Sequence, residues 1–130
     1  MAAMFERVVP VRWRDTDGQG HVNHAVFLTY LEEARDAFYA LVLGSDPIYV
    51  VVRVEIDIRG EVRHADRHVH VQIQVERLGT TSLTTRETIL TSSGDVVAEA
   101  RVVTVRWDQD RRQPVPFSEI ERERVAATTA

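Results

Sequence analysis

Residues 15–24 read DTDGQGHVNH, with two acids, two glycines and two histidines inside ten positions. The stretch runs directly into an apolar-striped segment, so it lies where a helix begins. A helix start exposes unpaired N–H groups and the positive end of the macrodipole. Those groups can hold an anion, or an oxygen that becomes anionic during a reaction. Gly18 and Gly20 let backbone come close to a ligand. Across that glycine-containing loop from Asn23 stands Asp17, an acid set opposite a cluster of donors. The layout suits attack on a carbonyl carbon. Asp17 would supply the nucleophile or the base, and backbone N–H groups around His24 would hold the carbonyl oxygen. Aspartate is ionised at neutral pH but is a weak base. Either it attacks directly, giving a mixed anhydride that water cleaves, or it activates a water. The residue types do not choose between these routes.

Plainer readings use the same residues. Asp15 and Asp17 are common turn and cap residues. His21 and His24, three apart, have metal-pair spacing, but no third ligand accompanies them, and we expect neither metal nor cofactor. His64 falls in a loop, and His68 and His70 share an exposed strand face. Glu32 and Glu33 read as a solvated helix face, with Glu32 in reach of Arg35. Glu55 and Asp57 lie on the less apolar side of a strand, facing water or a second subunit.

The elements that must position this loop can be read from periodicity. Residues 5–14 alternate as a strand, with Phe5, Arg7, Val9, Val11 and Trp13 on one face and Pro10 marking an edge or bulge. Residues 25–43 carry Phe27, Leu31, Ala34, Phe38 and Leu41 at helical spacing, with Thr29, Glu32, Glu33, Arg35 and Asp36 on the other side. Asn23 is the N-cap, and Gly44, Ser45, Asp46 and Pro47 are stop signals. From Ile48 to Ile58 the even positions share one strand face, and Gly60 breaks the run. Val69, Val71, Ile73 and Val75 alternate with His70, Gln72, Gln74 and Glu76 in a further strand. The Thr-rich segment 82–91 and the long run 96–107 follow, separated by a short Ser-Gly turn. Ser118 caps a short helix in SEIERERV, and AATTA frays. The order predicts a meander of four strands in series after the helix. The class is α+β, a curved sheet around one helix.

Bulk properties set bounds. The chain has 130 residues and no cysteine, which suits one domain without disulfides or thiolate metal sites. We expect a single domain over residues 1–130, with a core of about 5–107 and an extension over 108–130. The net charge is −4 with signs mixed, which predicts no nucleic-acid partner. With no apolar run long enough to span a bilayer and no secretion signal, we expect no membrane partner and a cytoplasmic protein.

DTDGQGHVNHAVFLTYLEEAR resembles the signature of the hotdog-fold acyl-CoA thioesterases of the 4-hydroxybenzoyl-CoA thioesterase type. The matching positions are Asp15, Asp17, Gly20, Val22, His24 and Phe27, then Glu32 and Arg35. The GHVN wording is closest to a subgroup written G-H-V-N-N. The resemblance implies a five-stranded antiparallel sheet wrapped around one long central helix. It implies a homodimer whose sheets join edge to edge, or a homotetramer, with active sites between protomers. It makes Asp17 the catalytic acid and the His24 N–H the group that polarises the thioester carbonyl. Gly20, Asn23 and Phe27 then border the acyl-CoA substrate, with Leu28 and Leu31 in the pocket wall. Gly79, Thr80, Thr81 and Ser82 of a neighbouring chain would meet coenzyme A, and Arg59, Arg63 or Arg77 its phosphates. Two positions depart from the pattern. Val26 stands where many members have Asn, and Phe27 where a Tyr is usual; Asn23 is the residue that could replace one lost contact. A hydratase or dehydratase on 3-hydroxyacyl thioesters, pairing His24 with Asp17 or His21 with Glu32, is the alternative enzyme. A non-catalytic acyl-thioester binder is the alternative without chemistry.

Overall fold

The computed structural model describes residues 4–44 and 48–129. In chain order these form β1 (Phe5–Pro10), α1 (His24–Leu43), β2 (Tyr49–Ile58), β3 (His68–Leu78), β4 (Ser82–Thr91), β5 (Val96–Asp108), β6 (Gln113–Pro114) and α2 (Glu119–Thr129). The sheet order is β1-β3-β4-β5-β2, antiparallel throughout, with the two-residue β6 added on β5. The expected class, a sheet wrapped around α1, is what forms. The expected four-strand meander is not: only β3, β4 and β5 follow one another, and β2 pairs with β5. The reason is the connection after β2. Gly60 and the buried Val62 carry the chain over the sheet end, and a 3-10 turn at His64–Asp66 completes the crossing. No tight hairpin could join β2 to β3 over that path.

Asn23 starts α1 as expected, its extended backbone at ψ 135 and its Oδ1 accepting the Ala25 N–H at 2.9 Å. Gly44 ends it in the left-handed region, φ 72, donating its N–H to the Ala40 carbonyl. The other stop residues, Ser45, Asp46 and Pro47, lie outside the described residues. The buried stripe differs from the expected one. Phe27, Leu31, Ala34 and Phe38 are buried, but Leu41 is 56% exposed, and Tyr30, Tyr39 and Val42 join the core instead. Each buried aromatic or leucine of this set contributes roughly 2–3 kcal/mol of apolar transfer. Arg35, expected on the solvated face, is buried at 4% against Glu87 of β4, so it does not pair with the exposed Glu32.

The first strand stops at Pro10, earlier than the alternation implied. The Asp15 carboxylate accepts the Arg12 N–H at 2.9 Å and closes a 3-10 turn at Trp13–Asp15, which leaves Trp13 outside the strand. In β2 a bulge between Val51 and Arg53 breaks the even-residue face. Val54, Ile56 and Ile58 pair with Val102, Ala100 and Ala98 and share their helix-facing side, while beyond the bulge that side passes to Val51 and Tyr49.

The C-terminal helix is longer than expected, continuing through Thr129, so AATT is helical rather than frayed. Ser118 caps it: its Oγ accepts the Glu121 N–H at 3.2 Å, and Glu121 accepts the Ser118 N–H at 2.8 Å, a capping box. Glu121 also meets Arg106 of β5, with Nη2 and Nε each 2.8 Å from its carboxylate oxygens. Burial alone would raise the Glu121 pKa. The hydrogen bonds from Arg106 and Ser118 outweigh it and hold the carboxyl below its ordinary 4.5. A depressed carboxylate stabilises the fold above the unfolded value, and that stability is lost as pH falls through the folded one. Glu121→Gln is therefore expected to lower stability at pH 7 by about 1–2 kcal/mol, with the gap closing in acid. Thermal melts from pH 3 to 7 check this; a gap that does not change with pH would show that charge plays no part.

Candidate active site

The loop before α1 is a small hairpin. Thr16 bridges to Val22, the Asp17 N–H donates to the His21 carbonyl at 2.9 Å, and the Gly20 N–H donates to the Asp17 carbonyl at 3.1 Å. Gly20 turns the chain at φ 82, a conformation that a β-carbon disfavours. The hairpin is moored on both sides. Asn23 donates its N–H to the Asp15 carbonyl at 3.0 Å, and Val22 donates to Val62 at 2.7 Å, beside the crossing that follows β2.

The two acids of this loop do different work. Asp15 faces inward as a brace, accepting the Arg12 N–H and the Tyr30 hydroxyl, the latter at 2.8 Å. That is the plain turn reading, and it holds for Asp15. Burial, then the bond to Asp15, pushes the Tyr30 hydroxyl pKa up, so it remains a donor. Asp17 turns its carboxylate outward. Oδ1 accepts the Gln19 N–H at 2.9 Å, and Oδ2 lies 3.6 Å from His21 Nε2. The side chain is 32% exposed, reachable yet partly enclosed.

A cavity of about 430 Å³ opens here. The loop and the start of α1 line it with Asp17, His21, Asn23, His24 and Phe27, and the end of β2 and the connection after it with Ile58, Gly60 and Glu61. Asp17 therefore shares an enclosure with the start of α1. Asn23 Oδ1 occupies the Ala25 N–H, whereas the N–H of His24 has no acceptor among the described residues. An open donor and a carboxylate lining the same cavity are the groups that carbonyl attack needs. Asn23 Oδ1 is taken by its own helix, so it does not make up for the Asn that Val26 replaces. Phe27 is 1% exposed and stacks on Tyr30, contributing an apolar wall without a hydroxyl.

Glu61 is the residue that sequence reasoning missed. Its Oε2 lies 3.5 Å from His21 Nδ1, and its Oε1 accepts from Arg63 Nε at 2.8 Å. His21 thus stands between two carboxylates, Asp17 and Glu61, and not beside Glu32. Nothing in the run EVRHAD marks Glu61 locally, because the crossing connection brings it to the site. Among the described residues no three His, Asp or Glu side chains are grouped to hold a metal ion, and His24 does not join His21 in one.

Gly79, Thr80, Thr81 and Ser82 lie elsewhere. They form the β3–β4 turn, roughly 30 Å from Asp17 along the strands of the same chain. A β-carbon at Gly79 would stand 2.7 Å from Ser82 Oγ and 3.4 Å from the Ser82 carbonyl oxygen. The turn is tied to β5 and to the C-terminal segment: the Thr81 carbonyl accepts from Arg106 of β5, the Thr80 carbonyl from Phe117 and the Gly79 carbonyl from Arg122. Of the three arginines considered for phosphates, Arg59 is bound to Glu99 at 2.6 Å and Arg63 to Glu61, while Arg77 has no ion pair among the described residues.

Residues 11–125 match the model of the thioesterase-like superfamily. A predicted thioesterase from Bacillus stearothermophilus is 30% identical, with 98% of each chain covered and a TM-score of 0.88. A thioesterase from Thermus thermophilus, solved with coenzyme A and Zn, is 32% identical over 92% of this chain and 95% of that one, with a TM-score of 0.80. A 1,4-dihydroxy-2-naphthoyl-CoA thioesterase from Synechocystis has the same fold at 18% identity, with 95% and 96% coverage and a TM-score of 0.76. No curated protein matches the chain. The hotdog fold expected from the sequence is the fold of these structures.

Proposed function

The chain belongs to the thioesterase-like superfamily and is a thioester hydrolase, and we propose that it cleaves an acyl-CoA to free acid and coenzyme A at the Asp17 cavity. The observation that carries this reading is that Asp17 and His24, whose N–H has no acceptor among the described residues, line one cavity. The 32% identical Thermus protein bound to coenzyme A supports the carrier.

The thioester carbonyl oxygen sits on the His24 N–H, which strengthens its hold as the oxygen becomes anionic. Asp17 then acts by one of two routes. As base, it takes a proton from water while the water oxygen bonds to the carbonyl carbon. As nucleophile, it bonds to that carbon itself, and water cleaves the resulting anhydride. In both, the C–S bond breaks and the thiolate leaves with the electron pair. His21, with Nε2 hydrogen-bonded to Gln19 Oε1 at 3.0 Å and Nδ1 3.5 Å from Glu61, is the group beside Asp17 that can pass a proton to the leaving sulfur. His21→Asn is expected to lower kcat about 10²-fold with KM little changed. Added imidazole should restore part of the rate if His21 handles a proton. An unchanged kcat would remove His21 from the mechanism.

The site is completed by pairing of two protomers. β2 is an edge strand carrying exposed Val51, Val52, Val54 and Ile58, a liability in a lone chain. Antiparallel pairing of β2 with its copy reverses the partner's sheet. That reversal carries the partner's Gly79–Ser82 turn toward the end that holds Asp17, where it can meet coenzyme A.

The testing experiment is an acyl-CoA panel of aromatic, short and medium chains with thiol detection. An enoyl-CoA is included, because water addition without thiol release would identify a hydratase using the Asp17–His21 pair. Thiol release from at least one member is expected. Binding of the esters with no turnover would leave a carrier protein and end the hydrolase reading.

A further inference from the structure

Two short segments share one design. RWRD (12–15) and RHAD (63–66) each form a 3-10 turn in which the Asp Oδ2 accepts the N–H of the Arg, at 2.9 and 2.8 Å. The turns are packed together. The Trp13 and His64 rings meet edge to face at 5.5 Å, and the Val11 N–H donates to the Arg67 carbonyl at 2.8 Å.

Their side chains are deployed unequally. Arg12 and Arg63, the arginines that open the turns, are neutralised by Glu33 and Glu61. Arg14, inside the first turn, and Arg67, just after the second, have no ion pair among the described residues. Trp13 is 75% exposed, more than any other large apolar side chain described. The turn needs only its carbonyl, which accepts from Thr16. Arg67 holds φ 66, a backbone conformation unusual for a residue with a β-carbon. A depression of about 410 Å³ lined by Val11, His64, Ala65 and Arg67 lies at this junction.

An open indole face with two unpaired guanidiniums recognises a flat base bearing phosphates. The base stacks on the ring, and the guanidiniums pair with phosphate oxygens. We propose that the twin turns form the docking site for the phosphorylated adenosine end of coenzyme A. This rests on the acyl-CoA reading and deepens it, by making the carrier the free cofactor rather than a carrier protein. The location fits, since the second turn directly follows Glu61, and His21 bridges to Arg63. A thioester in the Asp17 cavity therefore lies next to the turns, and the pantetheine arm is the link between them.

The test compares an acyl-CoA with the same acyl group on pantetheine, which lacks the nucleotide. Calorimetry with adenosine 3′-phosphate 5′-diphosphate reads the nucleotide alone. The parent protein is expected to bind that nucleotide and to show a KM for acyl-CoA roughly tenfold below that for acyl-pantetheine. Trp13→Ala, and Arg14→Gln with Arg67→Gln, should erase the difference by raising KM for acyl-CoA. Their kcat, and both constants for acyl-pantetheine, should stay as in the parent. Equal KM values for the two substrates in the parent, or variants that weaken both substrates alike, overturn the site while leaving the hydrolase reading in place. If neither substrate releases thiol, the hydrolase reading fails, and calorimetry then decides alone. Nucleotide binding lost in Trp13→Ala upholds the site, and no binding by the parent ends it.

Discussion

Asp17→Asn is expected to reduce thiol release about 10³-fold on every acyl-CoA that the parent cleaves, with the fold unchanged. The argument is one of separable jobs. The structural service of Asp17 is a single acceptor, Oδ1 to the Gln19 N–H at 2.9 Å. The Asn side chain keeps that oxygen, so the hairpin before α1 should form as before. What Asn lacks is the negative charge on the outward oxygen, and both routes to the product need it. An amide neither takes a proton from water nor attacks a thioester at a useful rate. The residual rate belongs to the His24 N–H and to substrate binding, which the substitution does not touch. KM should therefore move little. Circular dichroism and a thermal melt check the fold, and a discontinuous thiol assay with high enzyme measures the remaining rate. A variant within tenfold of the parent would show that Asp17 is only a turn residue, as Asp15 is.

How far this arrangement could be read from the sequence depends on the range of the interactions. The Asn23 cap, the stop at Gly44 and the capping box of Ser118 are local, formed between residues within a few positions, and they appear where the pattern puts them. That Asp17 and the helix start line one cavity is nearly local, because the hairpin that joins them is short. Misreadings occur where a distant partner decides. Trp13 continues the alternation of β1, yet the Asp15 side chain closes a turn beneath it. Arg35 has the charge of a surface residue, and only the placement of Glu87 far along the chain makes it a core residue. The even-residue face of β2 is real in sequence, but one bulge residue shifts its phase. Glu61 reaches the site because the chain crosses the sheet end instead of turning back, a choice made by strand pairing and invisible in the residues of the connection.

The Arg35–Glu87 pair yields the largest stability effect expected in this protein. Glu87 lies in mid-β4 opposite Ile73 and Ala100, on the side that faces α1. Its carboxylate takes Arg35 Nη2 at 2.8 Å and Nε at 3.0 Å, and Thr85 Oγ1 donates to it at 2.7 Å. Neither partner reaches solvent to any extent, at 4% and 1% exposure. Glu87→Gln leaves a guanidinium buried without its counter-charge, which costs about 3–5 kcal/mol. Domains of this kind are stable by only about 5–15 kcal/mol, so the urea midpoint should fall sharply. Replacing both partners, Arg35→Met with Glu87→Leu, removes the stranded charge and should return most of the loss. A single variant with an unshifted midpoint would contradict this, as would a double variant no better than the single. Apolar residues would serve stability equally well, which points to alignment as the reason for an ion pair here. Arg35 lies about three turns along α1 from His24. A bidentate pair fixes how far the helix slides on the sheet, and hence where the open N–H stands relative to Asp17. The double variant is accordingly expected to recover its unfolding free energy but not its kcat. Recovery of both would make the pair a matter of packing alone.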